Sequence, residues 1–110
     1  MGEPAERRRS CRFTVRWPLS IELFGDGTAV QGMTENLNSR GFYCTVPEPA
    51  VKGQIVACVI RLPSPNPEES AQVYLHCRAE VLRVEAKAAA GGFGLGCRIL
   101  DYHVRIDHSR

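Results

Sequence analysis

The sequence predicts an all-β fold: a six-stranded antiparallel β-barrel preceded by a flexible arginine-rich arm. Three observations lead there. Apolar residues recur at every second position over long stretches, the pattern of strands with one buried face. Turn-forming residues punctuate the chain about every ten residues. No long stretch carries the i, i+3, i+4 apolar spacing of a helix. At 110 residues the chain is expected to be one domain. A closed barrel suits this length better than a sandwich, because closure removes exposed strand edges.

The elements follow in order. Residues 1–12 are short, charged and without a period, and read as a flexible arm. From Phe13 to Leu23 the alternation is strict: Phe13, Val15, Trp17, Leu19, Ile21 and Leu23 are apolar, with Thr14, Arg16, Pro18, Ser20 and Glu22 between them. Pro18 falls on the outward face, where its missing N–H marks an edge or a bulge. The Gly-Asp-Gly at 25–27 is a hairpin turn into a second strand, about Ala29 to Thr34. The stretch "TENLNSRGFY" then reads as a connecting turn, with Gly41 taking a positive φ at its end and Leu37 anchoring it in the core.

Phe42–Val46 is the third strand, closed by "PEPAVKG". Gln54–Leu62 is β-branched and almost continuously apolar, so it reads as a buried fourth strand. "PSPNPEES", with a proline at every second position, is an extended loop. The fifth strand alternates Val73, Leu75, Cys77, Ala79 and Val81 with polar residues, and its phase slips near Leu82 and Val84, as at a bulge. "AKAAAGG" turns the chain, with room for a short helical turn before the double glycine. Phe93–Leu100 is the sixth strand. The expected organisation is an arm at 1–12, a barrel at 13–101 and a tail at 102–110.

Composition excludes several classes. Hydrophobic content is 44% and charged content 24%, both ordinary for a globular domain. No apolar run approaches the ~20 residues of a membrane span, so no membrane insertion is expected. The N-terminus has no apolar segment behind its charges, and Ala5 and Glu6 stand where a myristoylation signal needs Ser or Thr; a cytoplasmic location is expected. The cysteines Cys11, Cys44, Cys58, Cys77 and Cys97 form no close pair, which points to free thiols rather than zinc. His76, His103 and His108 stand beside no nucleophile motif or carboxylate pair, so no enzyme is expected. Aromatics at 7% are few for a barrel that stacks bases, so no nucleic-acid partner is expected.

The net charge of +2 is unevenly placed. Residues 1–16 hold Arg7, Arg8, Arg9, Arg12 and Arg16 against Glu3 and Glu6, leaving the body slightly negative. By composition alone "RRRSCR" is first a solvated charge run. Its guanidinium forks also suit phosphate and the O6/N7 edge of guanine. "NLNSRG" is likewise first a plain turn.

Together, in this order and spacing, the two motifs resemble the PilZ domain. Arg8 and Arg12 match its R-x-x-x-R. Asn36, Asn38 and Gly41 occupy the defined positions of its [D/N]-x-S-x-x-G. "EPAVKGQIVACVIRL" is similar to the family's proline-rich turn and hydrophobic strand, and "GFGLGCRI" to its closing strand; the resemblance spans roughly residues 6 to 101. It implies a PilZ-like barrel that binds cyclic di-GMP, a bacterial second messenger, without catalysis and with no further cofactor. It further implies that Arg8 and Arg12 grip phosphates and guanines, that Asn36 and Asn38 hydrogen-bond the nucleotide, and that Gly41 lets the backbone approach. Arg7 and Arg9 would stack on a second nucleotide, and Arg98 is a further candidate anion contact or simply a solvated outer residue. Ligand is expected to order the arm against the barrel and so signal to a protein partner of unknown identity.

The sequence departs from the family at one position, where Asn38 stands for serine. A lost hydrogen bond there would cost about 1–3 kcal/mol. The departure keeps an alternative open: a degenerate adaptor that binds no nucleotide and works through protein contacts.

Overall fold

The computed structural model describes residues 16–23, 25, 27–63, 71–87 and 91–108. They form six strands: β1 (Pro18–Glu22), β2 (Ala29–Leu37), β3 (Gly41–Val46), β4 (Ile55–Leu62), β5 (Ala71–Lys87) and β6 (Gly92–His108). All pairings are antiparallel. The sheet closes in the order β1-β2-β3-β6-β5-β4, a barrel as expected, and the described residues contain no helix.

Alternation fills the interior. Leu19 and Ile21 of β1, Phe42, Cys44 and Val46 of β3, Val56, Cys58 and Ile60 of β4, Cys77, Ala79 and Val81 of β5, and Leu95 and Cys97 of β6 form one buried cluster. Trp17, Leu37, Val84, Phe93 and Ile99 pack against it. Burying each such aliphatic side chain contributes about 1.5–3 kcal/mol before entropy is counted. The four cysteines on strands are buried free thiols that pack as small hydrophobes. Cys58 sits opposite Cys77 in the β4–β5 register. Their hydrogen bond and their burial push the Cys58 thiol well above its ordinary value.

Several elements differ from expectation, each for a physical reason. β1 is described only from Pro18, which stands at its first position, where a proline costs no ladder bond. Phe13 and Val15 lie outside the described residues. β4, expected as a buried strand, buries Val56, Cys58 and Ile60 but not its outer positions. Ile55 is half exposed and Ala57 and Arg61 face out, because its apolar run lies in a single-layer barrel wall whose outer face meets solvent. β2 runs on through Leu37, so Asn36 is a strand residue and the turn shrinks to Asn38–Arg40. β5 continues through "AK" to Lys87, paired with Gly92. The stretch expected as a tail continues β6 through His108, pairing with the start of β5 from Arg78 to Ala71.

Two irregularities position the site. The β2–β3 register shifts between Thr34 and Asn36, leaving Glu35 as the extra residue. The β5–β6 register shifts between Val81 and Arg83, leaving Leu82 as the extra residue, where the sequence phase slips. Thr34 is fully buried, and strict alternation would turn Asn36 inward after it. The bulge re-aims Asn36 outward while Leu37 returns to the core. In the same way Arg83 and Glu85 face out while Val84 packs inward.

Candidate functional site

The outward side chains of four neighbouring strands make a cleft of about 690 Å³. That size falls within the ~300–1,000 Å³ usual for small-molecule sites. One rung across the sheet reads Asn36 (β2), Tyr43 (β3), Gly96 (β6), Arg83 (β5), each directly opposite the next. The next rung reads Gly41, Arg98, Glu80. Asn38 and Arg40 close one end, and Leu82, Glu85 and Lys87 line the β5 side. The structure therefore brings together Asn36, Asn38, Gly41 and Arg98. Arg7, Arg8, Arg9 and Arg12 lie outside the described residues.

The turn is held by its own side chain. Asn38 Oδ1 accepts hydrogen bonds from the backbone N–H of Arg40 (2.8 Å) and of Gly41 (3.2 Å). Two N–H donors fix the accepting atom as oxygen and leave the amide NH₂ as the end that a ligand could meet. Such an Asx turn is what a serine would form more weakly in the same place. The Asn38 N–H in turn donates to Gly41 O (2.9 Å).

Gly41 does not take the positive φ expected of it; among the described residues positive φ values occur only at Gly25, Gly27, Gly53 and Gly91. The turn closes with the Asn38 side chain instead. Gly41 is required for close approach. A Cβ there would be driven into the carbonyl oxygen of Cys97 and would stand 3.3 Å from Arg98 Cα.

Tyr43 forms the floor. A Cβ on Gly94 would strike the Tyr43 phenol, so the glycine is what allows the ring to lie across β6. The Tyr43 hydroxyl donates to Glu85 Oε1 at 2.7 Å. Arg83 and Lys87, both on β5, lie 5.6 and 5.4 Å from the ring centroid, within cation–π range. Desolvation and the bond to Glu85 push the phenol up to about 12 from its ordinary 10.0. A raised pKa favours the protonated form in the folded state. The Tyr43 contribution to stability is therefore intact below about pH 10 and lost as pH climbs through 12. In an ultraviolet phenolate titration, Tyr43→Phe should remove an ionisation step near pH 12; a variant that instead loses a step near pH 10 would contradict it.

Arg98 points outward and is held by Glu80 Oε1 at 2.5 Å. Its guanidinium remains half exposed, and it serves both as an ion-pair partner and as a lining residue of the cleft. The lining carries the cations Arg40, Arg83, Lys87 and Arg98 against one carboxylate, Glu85. The cleft is thus locally basic although the body of the chain carries no positive excess, and such focusing attracts an anion.

Sequence reasoning missed Tyr43, Arg83 and Lys87. The signal was available: Arg83, Glu85 and Lys87 recur at every second position, the spacing of one strand face. Reading "AKAAAGG" as a turn hid it. Among the described residues no cluster of His, Cys, Asp and Glu could hold a metal, and no helix is long and apolar enough to cross a membrane.

The family model described as "PilZ domain" matches residues 6–108. A solved structure, the Bacillus subtilis inhibitor of motility (MotI/DgrA), superposes with a TM-score of 0.67 at 15% sequence identity. The alignment covers 84% of this chain and 42% of that one, so the chain spans less than half of the neighbour's length, and the likeness is one of fold. No curated protein matches the chain.

Proposed function

Because the chain belongs to the PilZ domain family, we propose that it is a cytoplasmic receptor module for cyclic di-GMP, with no catalysis of its own. The observation that carries this reading is the cleft that gathers Asn36, Asn38 and Gly41 with four cations around Tyr43. A cyclic dinucleotide carries two phosphates and two purines. The cations suit the phosphates, the Tyr43 ring offers a stacking face, and the amides of Asn36 and Asn38 offer donors to base edges.

The arm completes the site. Arg16 and Trp17 stand between the arm and β1, and they lie along the end of β2. The Trp17 N–H donates to Thr34 Oγ1 at 2.8 Å, and Arg16 approaches Glu35 at 3.9 Å. Those partners immediately precede Asn36. Arg12 is four residues upstream of Arg16, a reach of at most about 14 Å. Arg8 and Arg12 are thereby able to close over the cleft as the second jaw, with Arg7 and Arg9 available to a second nucleotide. Ligand would order this segment, and the ordered arm would offer a new surface to a protein partner.

The Asn38 bonds bear on the alternative of a degenerate adaptor. Because Oδ1 is committed to the turn, only the NH₂ group remains for a ligand, and it sits about one bond further out than a serine hydroxyl. Calorimetric titration with cyclic di-GMP separates the readings. Micromolar or tighter binding supports the receptor. No heat from the wild type, with binding created by Asn38→Ser, makes the chain a ligand-free adaptor.

A further inference from the structure

Beyond Arg98, β6 leaves the barrel wall. β3 pairs with it only from Phe93 to Arg98, and the last bond on that side runs from Ile99 N–H to Arg40 O. From Asp101 to His108, β6 is paired with β5 alone among the described residues. Among the described residues, alternate backbone N–H and C=O groups along this stretch therefore face an open edge, a ready template for another strand. On one face the stretch carries Tyr102, Val104 and Ile106, each more than half exposed. They continue the apolar rows of Cys77, Leu75 and Val73 opposite them, which are buried. On the other face lie Asp101, His103, Arg105 and Asp107.

We infer that this edge is the contact surface of a homodimer, β6 pairing antiparallel with β6 of a second copy about a two-fold axis at His103. The sequence around His103 is self-complementary in that register. Asp101 meets the partner's Arg105, Tyr102 meets the partner's Val104, and each pair occurs twice, as a two-fold axis requires. Moving the axis to Val104 would oppose Asp101 with the partner's Asp107, which like charge disfavours. Asp101 is already oriented for this contact, since Arg78 Nε donates to it at 2.9 Å and leaves a carboxylate fixed at the edge. His103 stacks on His76 of its own chain at 5.0 Å, which stiffens the strand where the axis would pass. The charges set the register, and the apolar row gains burial. The cleft lies on the outer face of β2, β3, β5 and β6 near Gly96, and the edge adjoins it at Asn38, which also lines a small apolar hollow with Leu75, Ile99 and Tyr102.

Sedimentation equilibrium of the full chain across the micromolar range tests the inference. The wild type should sediment at twice the chain mass. Arg105→Asp and Asp101→Lys should each raise the dimer dissociation constant at least about a hundredfold, by placing like charges together. An equimolar mixture of the two variants should restore a dimer, because one variant is then negative at both positions 101 and 105 and the other is positive at both. Circular dichroism checks that each variant keeps its strands. Amide exchange of the wild type at residues 101–107 should slow as concentration rises. A monomeric wild type overturns the inference. So does a variant mixture that stays monomeric, or exchange protection independent of concentration, which would mean that residues 1–15 of the same chain cover the edge.

Discussion

Arg12→Ala is expected to weaken cyclic di-GMP binding at least about a hundredfold, and Arg8→Ala by a similar factor. A guanidinium on a phosphate or guanine makes two charge-assisted hydrogen bonds of about 1.5–3 kcal/mol each, and about 2.7 kcal/mol already amounts to a hundredfold in affinity. The described cleft supplies four cations of its own, but two of them are engaged. Arg98 is held by Glu80, and Arg83 Nε lies 3.3 Å from Glu85 Oε2. Arg40 and Lys87 remain, and on this reading the arm adds the further positive charge that two phosphates call for. Calorimetry at fixed ionic strength is the measurement, since exposed charges are screened by salt. Losses smaller than about threefold for both variants would show that the arm is no part of the clamp. Because both residues precede the barrel, the urea midpoints should stay at the wild-type value, which separates lost binding from lost folding.

Gly41→Ala is expected to lower stability by about 1–3 kcal/mol, more than most exposed substitutions. The added carbon meets backbone on both sides, the Cys97 carbonyl and Arg98 Cα, and neither can rotate away as a side chain would. Moving β3 from β6 strains the pairing of Gly41 with Arg98 and, next to it, the bond from Ile99 N–H to Arg40 O at 2.8 Å. The urea midpoint should fall with its slope unchanged, and nucleotide affinity should fall with it, since Asn38 and Asn36 are positioned by the same turn. An unchanged midpoint would mean that the strands separate at no cost.

The barrel was legible because most of its strands bury one face only, so alternation in the sequence maps directly onto inside and outside. Phe42, Cys44 and Val46, or Cys77, Ala79 and Val81, need nothing more to be placed. The bulge at Leu82 was legible for the same reason, as a break in phase. What alternation cannot carry is length and partner. The outer half of β6 has apolar residues at 102, 104 and 106 that remain exposed, so its pattern has no packed core to report. β4 misled because its outward positions are apolar too, and composition does not record whether a second layer lies behind a strand. At the site, the motif residues Asn36, Asn38 and Gly41 were found, but their roles were not all as expected. Gly41 serves close approach rather than left-handed conformation, and Asn36 lies on a strand. Tyr43 was overlooked because alternation turns it outward without saying what lies beside it; only the register with β6 shows the glycines that let its ring lie down.

The two bulges also bear on how this domain can change length over generations. Side chains on a strand alternate, so losing a residue ordinarily inverts every position beyond it. Glu35 and Leu82 are surplus to the pairing. A chain lacking Glu35 would still carry Thr34 inward, Asn36 outward and Leu37 inward. A chain lacking Leu82 would still alternate Val81, Arg83 and Val84. Single-residue deletions are therefore absorbed at the rims of the cleft, whereas the same event between Phe42 and Val46 would exchange core for surface. Gaps between related chains should collect at these two points and at Leu100, which is likewise surplus between Ile99 and Asp101, so that the walls of the cleft can be remodelled while the barrel beneath keeps its phase.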